Sequence, residues 1–102
     1  MPEFVTVATT EEVPPGERIV VEVADHYVAI FNVDRSLYAI EDVCTHDDGP
    51  LVEGELVGTV IECPRHGAKF DITTGKVLSM PAIKPVPRYE VRIQGSEIQI
   101  LI

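Results

Sequence analysis

The chain has 102 residues and a formal charge of −9, from 17 acidic and 8 basic side chains. That length supports one core and excludes separate cofactor and substrate halves. With 45% hydrophobic and 25% charged residues it is neither fibrous nor disordered, and its acidity opposes binding to nucleic acid or an anionic membrane while suiting a basic or neutral protein partner.

In chain order, residues 1–6 show no basic cluster followed by an apolar stretch, so no secretory signal or transit peptide is expected. No window approaches the roughly eighteen apolar residues of a membrane span, and a soluble, cytoplasmic protein is the expectation. Short apolar or alternating runs predict strands at residues 4–6, 18–23, 27–31, 37–40, 57–62, 69–72, 89–93 and 97–102. Turn formers join them at Ala24-Asp25, Asn32-Val33-Asp34, Thr73-Thr74-Gly75-Lys76 and Gln94-Gly95-Ser96. Thr9-Thr10-Glu11-Glu12 reads as a capping box, but Pro14-Pro15 limits it to one helical turn. The class is therefore all-β, a single domain over residues 1–102. Three loops break the rhythm: the polar stretch 42–54, the short kinked stretch 63–67, and 78–87, whose three prolines exclude a central strand. Loops on a rigid scaffold are where function concentrates.

The chemistry lies in Cys44-Thr45-His46 and, after sixteen intervening residues, Cys63-Pro64-Arg65-His66. Were three histidines scattered at random, one would fall close behind each cysteine with a probability of roughly 0.8%. Coincidence is a poor account, and two buried apolar cysteines or a disulfide would leave both histidines unexplained. Two such loops can direct four ligands, Cys44, His46, Cys63 and His66, at one metal centre. A structural zinc ion could take this set, but Cys2His2 zinc sites usually keep both cysteines in one turn and both histidines in another. Here each loop carries one of each, which suits two metals, one on Cys44 and Cys63 and the other on His46 and His66. The third histidine, His26, has no cysteine neighbour and reads as an ordinary strand-end residue.

At these residues the sequence resembles the Rieske 2Fe-2S proteins, whose signature is C-x-H, a spacer of this length, then C-x-x-H. The resemblance extends over Gly49-Pro50-Leu51, Gly67-Ala68-Lys69-Phe70-Asp71, the Thr74-Gly75 turn, Pro81-Ala82, Pro85-Val86 and Tyr89-Glu90-Val91. It implies a β sandwich of stacked antiparallel sheets holding one 2Fe-2S cluster at a tip, between two hairpin loops and beneath a proline-containing third loop, with the cluster-binding part at about residues 42–87. Histidine ligation makes the formal charge of the oxidised centre about zero, against roughly −2 with four thiolates, so an electron is easier to add. The respiratory branch of the family has two further cysteines, bridged to each other, where this chain has Gly49 and Arg65, and hydroxyl residues where it has Ala68 and Phe70. Without hydrogen bonds from those hydroxyls the reduced cluster is less stabilised, which predicts a potential near the bottom of the roughly −150 to +300 mV Rieske span.

The resemblance further implies a free-standing electron-carrier ferredoxin rather than an enzyme. An oxygenase needs a second, mononuclear iron with two histidines, and after the cluster takes its pair only His26 remains. The expected partners are a flavoprotein ferredoxin reductase fed by a nicotinamide nucleotide and the terminal oxygenase of an aromatic or heterocyclic dioxygenase system, met by transient docking of a monomer. Other readings are a small subunit of another redox complex, nitrite-reductase-like, or a zinc-stabilised interaction module. From Glu41 to Glu62 there are seven acidic residues and no lysine or arginine, which suits either a solvated face or a docking patch for a basic partner.

Overall fold

Period-two alternation of β-branched and apolar residues becomes a set of antiparallel strands in the computed structural model, which describes residues 3–45, 49–65, 67–80 and 84–102. They are β1 (Phe4–Thr9), β2 (Arg18–Val23), β3 (His26–Val33), β4 (Ser36–Glu41), β5 (Glu55–Val57), β6 (Val60–Glu62), β7 (Lys69–Asp71), β8 (Val77–Ser79), β9 (Arg88–Tyr89), β10 (Val91–Gln94) and β11 (Glu97–Leu101). Three sheets result, with strand orders β1-β11-β10, β2-β3-β4-β9 and β5-β6-β7-β8. A single 3-10 turn at Thr10–Glu12 links β1 to β2, and the Glu12 carboxylate accepts the Thr9 backbone N–H at 3.0 Å, as the capping-box pattern predicts.

Strand β3 explains how the sheets stack. Its segment Val28-Ala29-Ile30-Phe31 is wholly buried, as a strand with apolar neighbours on both faces must be. Val28 and Ile30 join Ala8, Ala39, Ile98 and Ile100 in one core, against the β1-β11-β10 sheet. Ala29 and Phe31 join Ile40, Ile61 and Phe70 in the other, against the β5-β6-β7-β8 sheet. The β2-β3-β4-β9 sheet is thus the shared wall of two sandwiches.

Several boundaries differ from the sequence reading. The stretch 57–62, expected as one strand, is a hairpin: Gly58 has φ +61°, and Val57 pairs with Val60 across a two-residue turn. The stretch 89–93 breaks at Glu90, because β9 pairs with β4 and β10 with β11, so the chain changes sheets there. The turn placed at Asn32-Val33-Asp34 falls at Asp34-Arg35, with φ of 52° and 73°. Asn32 stays in β3 opposite Leu37, and its side chain spans the turn, accepting the Arg35 N–H at 2.9 Å and donating to the Val13 carbonyl at 2.8 Å. The 78–87 loop begins within a strand, β8, and the edge position of β8 respects the exclusion of proline-bearing segments from sheet centres. Strand β2 has the expected bounds, and the other ends move by at most three residues, most at β1, which continues to Thr9.

Candidate metal centre

The first ligand loop leaves β4 at Glu41 and is shaped by Asp42. The carboxylate of Asp42 accepts the backbone N–H groups of Leu51 and Val52, both at 2.8 Å, so the loop's two ends are held together. Within it the Cys44 N–H donates to the Gly49 carbonyl at 2.6 Å. The second loop leaves β6 at Glu62 and closes in the same way, with the Cys63 N–H donating to the Ala68 carbonyl at 2.7 Å. In both, the cysteine amide reaches the carbonyl five residues on. Gly67, at φ +78°, turns the second loop, and its N–H returns to the Cys63 carbonyl at 3.1 Å.

Cys44 and Cys63 are 0% and 1% exposed and are members of one core with Leu51, Ile61, Ala68 and Phe70. Thiolates are costly in such surroundings unless a cation neutralises them, so the same two side chains that look apolar when protonated are well shielded as metal ligands. Two equivalent loops presenting two buried sulfurs to one core fit the thiolate half of the predicted ligand set. The other half, His46 and His66, lies outside the described residues, as do Asp47, Asp48, Pro81, Ala82 and Ile83.

The far limb of the third loop is fastened to both ligand loops' surroundings. Thr45, next to Cys44, donates its hydroxyl to the Lys84 carbonyl at 2.7 Å. The Val86 N–H donates to the Gly75 carbonyl at 2.8 Å, the Val86 side chain enters the cysteine core, and the Pro87 carbonyl accepts the Glu41 N–H at 2.8 Å. Gly75 is required there: its φ is +81°, and a Cβ would overlap the Val86 carbonyl oxygen.

Two supporting side chains were not singled out from sequence. Arg18 donates to the carbonyls of Val52 and Gly54 at 2.8 and 2.7 Å while its guanidinium lies 5.6 Å from the ring centroid of Phe31, its cross-strand partner. It thereby braces the segment leaving the first loop. Glu41, at that loop's entry, takes the Tyr89 hydroxyl at 3.2 Å and contacts Nδ1 of His26 at 2.8 Å. Partial burial, then the neighbouring Glu41 charge and its hydrogen bond, push the Tyr89 hydroxyl above the ordinary tyrosine pKa. His26 starts β3 and its ring is 54% exposed, in keeping with a strand-end residue. Neither Arg18 nor Glu41 has a local signal, because their partners lie far along the chain.

The pattern of the Rieske [2Fe-2S] domain matches residues 3–90. The chain is 43% identical over 98 residues to the biphenyl dioxygenase ferredoxin subunit of Pseudomonas sp. (strain KKS102), covering 95% of this chain and 90% of that protein. Among solved structures, the ferredoxin of carbazole 1,9a-dioxygenase from Nocardioides aromaticivorans IC177 superposes with a TM-score of 0.89 at 33% identity, covering 95% of both chains. A chain from the complex of reduced oxygenase and oxidized ferredoxin in carbazole 1,9a-dioxygenase gives a TM-score of 0.87 at 36% identity, covering 95% of this chain and 91% of that one.

Proposed function

Because the chain belongs to the Rieske [2Fe-2S] family, we propose that it is the ferredoxin of a multicomponent dioxygenase, a one-electron carrier between a flavoprotein reductase and a terminal oxygenase. The observation that carries this reading is end-to-end similarity to ferredoxin components, with coverage above 90% in both directions for the carbazole dioxygenase ferredoxin. Similar ferredoxin components are named for biphenyl, naphthalene and carbazole dioxygenase systems, and for the last a complex of oxygenase and ferredoxin is known. The protein therefore carries electrons and makes no bonds itself, working in the cytoplasm by transient docking.

The cofactor is a single [2Fe-2S] cluster, which supplies reversible one-electron chemistry when bound. In our reading Cys44 and Cys63 hold one iron through their thiolates, and His46 and His66 the other through their imidazoles. The chain's own contribution is shielding and rigidity. Leu51, Ile61 and Phe70 keep water from the sulfurs, and the two amide-to-carbonyl closures fix each cysteine on its loop. Ala68 and Phe70, which have no hydroxyl to donate, leave the reduced state unaided and the potential low.

Anaerobically purified protein should contain about two irons and two acid-labile sulfides per chain and show the absorption and spin-resonance spectra of a Rieske centre. Cys44→Ser, Cys63→Ser, His46→Ala and His66→Ala should each lose that signal. Added to a dioxygenase's reductase and oxygenase, the intact protein should restore product formation. Colourless, iron-poor protein, or a reconstituted system indifferent to its addition, would overturn the assignment.

A further inference from the structure

An open sheet edge leaves a row of unpaired backbone N–H and C=O groups, and proteins blunt such edges with bulges, short strands, lysine or proline. The edge strands of the three sheets are β1, β10, β2, β9, β5 and β8. Strand β1 is bulged between Thr6 and Ala8, and β5, β8, β9 and β10 run for only two to four residues. Strand β2 has neither protection. It keeps an unbroken register with β3 over its six residues, contains no lysine or proline, and exposes Val20 at its middle by 38%.

Which groups of β2 are free follows from the turn that ends it. Ala24 and Asp25, with φ of 49° and 66°, make a two-residue hairpin turn closed by the pair Val23 and His26. Hydrogen-bonded and non-hydrogen-bonded pairs alternate along an antiparallel ladder. Val23, Val21 and Ile19 therefore bond to β3, while Arg18, Val20 and Glu22 turn their N–H and C=O groups away from it. The side chains of these last three share one face. Glu22 is exposed and has no side-chain partner among the described residues. Arg18 gives Nη1 to the Val52 and Gly54 carbonyls, and its Nε and Nη2 groups have no acceptor among the described residues.

We propose that β2 pairs antiparallel with β2 of a second copy of this chain, about a twofold axis between the two Val20 residues. Val20 then faces the partner's Val20, Ile19 faces the partner's Val21, and Arg18 faces the partner's Glu22, an ion pair made twice. This is the one register in which all three outward-turned residues bond, and it has the reciprocity that a twofold interface requires. A shift of two residues either way loses both ion pairs. The joined wall has the strand order β9-β4-β3-β2-β2-β3-β4-β9, and because the axis is perpendicular to it, both cysteine cores lie on the same face. Physiological salt screens the repulsion between two chains of charge −9. Pairing over residues 18–22 is narrower than the roughly 20–30 residues a side of a standard interface, so the dimer is weak and replaces the expected monomer only at high concentration.

Sedimentation velocity of the cluster-loaded protein, from about 10 μM to 1 mM, reads the dimer. The mass should rise with concentration from one chain's 11.2 kDa toward twice that value. Val20→Pro removes the central outward N–H, which β3 does not use, and should hold the protein at one chain. Glu22→Lys sets two like-charge pairs across the axis and should weaken association about tenfold, whereas Glu11→Lys, the same change away from β2, should not. Cα atoms of a hydrogen-bonded pair lie about 5.5 Å apart, within disulfide reach, so Val20→Cys should cross-link two copies under oxidised glutathione. An unchanged cluster spectrum and far-ultraviolet dichroism show that each variant keeps the fold. A single-chain mass at every concentration overturns the proposal, as does association that survives both Val20→Pro and Glu22→Lys. So does Val57→Cys, at an exposed position of β5, cross-linking as readily as Val20→Cys. A native chain that stays single, yet loses affinity for its reductase or oxygenase on Val20→Pro, assigns the edge to that protein and equally overturns self-pairing.

Discussion

Replacing Gly75 by alanine should release the third loop from the core, and the structure separates the two reasons. The first is conformational: at φ +81° an L-residue sits in the left-handed region, at a cost of about 1–2 kcal/mol. The second is steric: the new Cβ would overlap the carbonyl oxygen of Val86, which is 3% exposed and has nowhere to move. Forcing an atom into such a contact costs typically about 1–3 kcal/mol. Together they amount to about 3 kcal/mol, a large share of the roughly 5–15 kcal/mol that holds a domain folded. Two other glycines provide the components. Gly95, at φ +65° with open space around it, tests strain alone, at about 1 kcal/mol. Gly54 has no left-handed φ but a Cβ there would overlap the Glu62 carbonyl oxygen, so it tests the clash alone, at about 2 kcal/mol. At about 4–8 °C per kcal/mol for a domain of this size, Gly75→Ala should melt about 12–24 °C below the native protein and Gly95→Ala about 4–8 °C below it. Thermal unfolding of the iron-loaded proteins, followed by far-ultraviolet dichroism and cluster absorbance under nitrogen, reads both. If Gly75→Ala melts within a few degrees of Gly95→Ala, the contact with Val86 carries no energy and the argument is wrong.

Ala68→Ser and Phe70→Tyr each bring a hydroxyl into the core that holds both cysteines. At about 1 kcal/mol per hydrogen bond, equivalent to roughly 43 mV for one electron, each should raise the reduction potential by about 40 mV in a spin-resonance titration, and a potential unchanged in both would remove the explanation for a low value. Tyr89 is harder to ionise in the folded protein than in the unfolded chain. Its contribution to stability is therefore complete below the unfolded tyrosine pKa of about 10 and declines as pH rises through the higher folded value. Denaturation midpoints should accordingly fall less steeply above about pH 10 in Tyr89→Phe than in the native protein. Arg18→Met keeps the packing stem but leaves the Val52 and Gly54 carbonyls without their donor, at a cost of about 2 kcal/mol; an equal denaturant midpoint in the two proteins would show that water replaces the guanidinium freely.

The four proposed ligands stand out in the sequence because cysteine and histidine are scarce and fall in two matched pairs, and of these the structure describes Cys44 and Cys63, which share one core. Strands β2, β3 and β4 were legible too, since their short apolar runs and the Ala24-Asp25 turn, both residues at positive φ, are local properties. What escaped the reading depends on partners distant in sequence. The hairpin at Gly58 hides inside the run Val57 to Glu62 because β-branched residues flank the glycine on both sides, and only pairing with β7 selects the break. The switch at Glu90 follows from two strands bidding for the same segment, β4 on one side and β11 on the other. The bonds of Arg18 to Val52 and Gly54 and of Glu41 to Tyr89 span 34 to 48 residues, for which no window of sequence carries a mark.

The shared wall formed by β3 divides the molecule into a half that touches iron chemistry and a half that does not. Both cysteines line one side of that wall; the other side is built from Ala8, Val28, Ile30, Ala39, Ile98 and Ile100, with no metal-binding side chain among them. The second core therefore closes on apolar contacts alone, and the ligand loops stand on one side of a wall that this packing stiffens from the other.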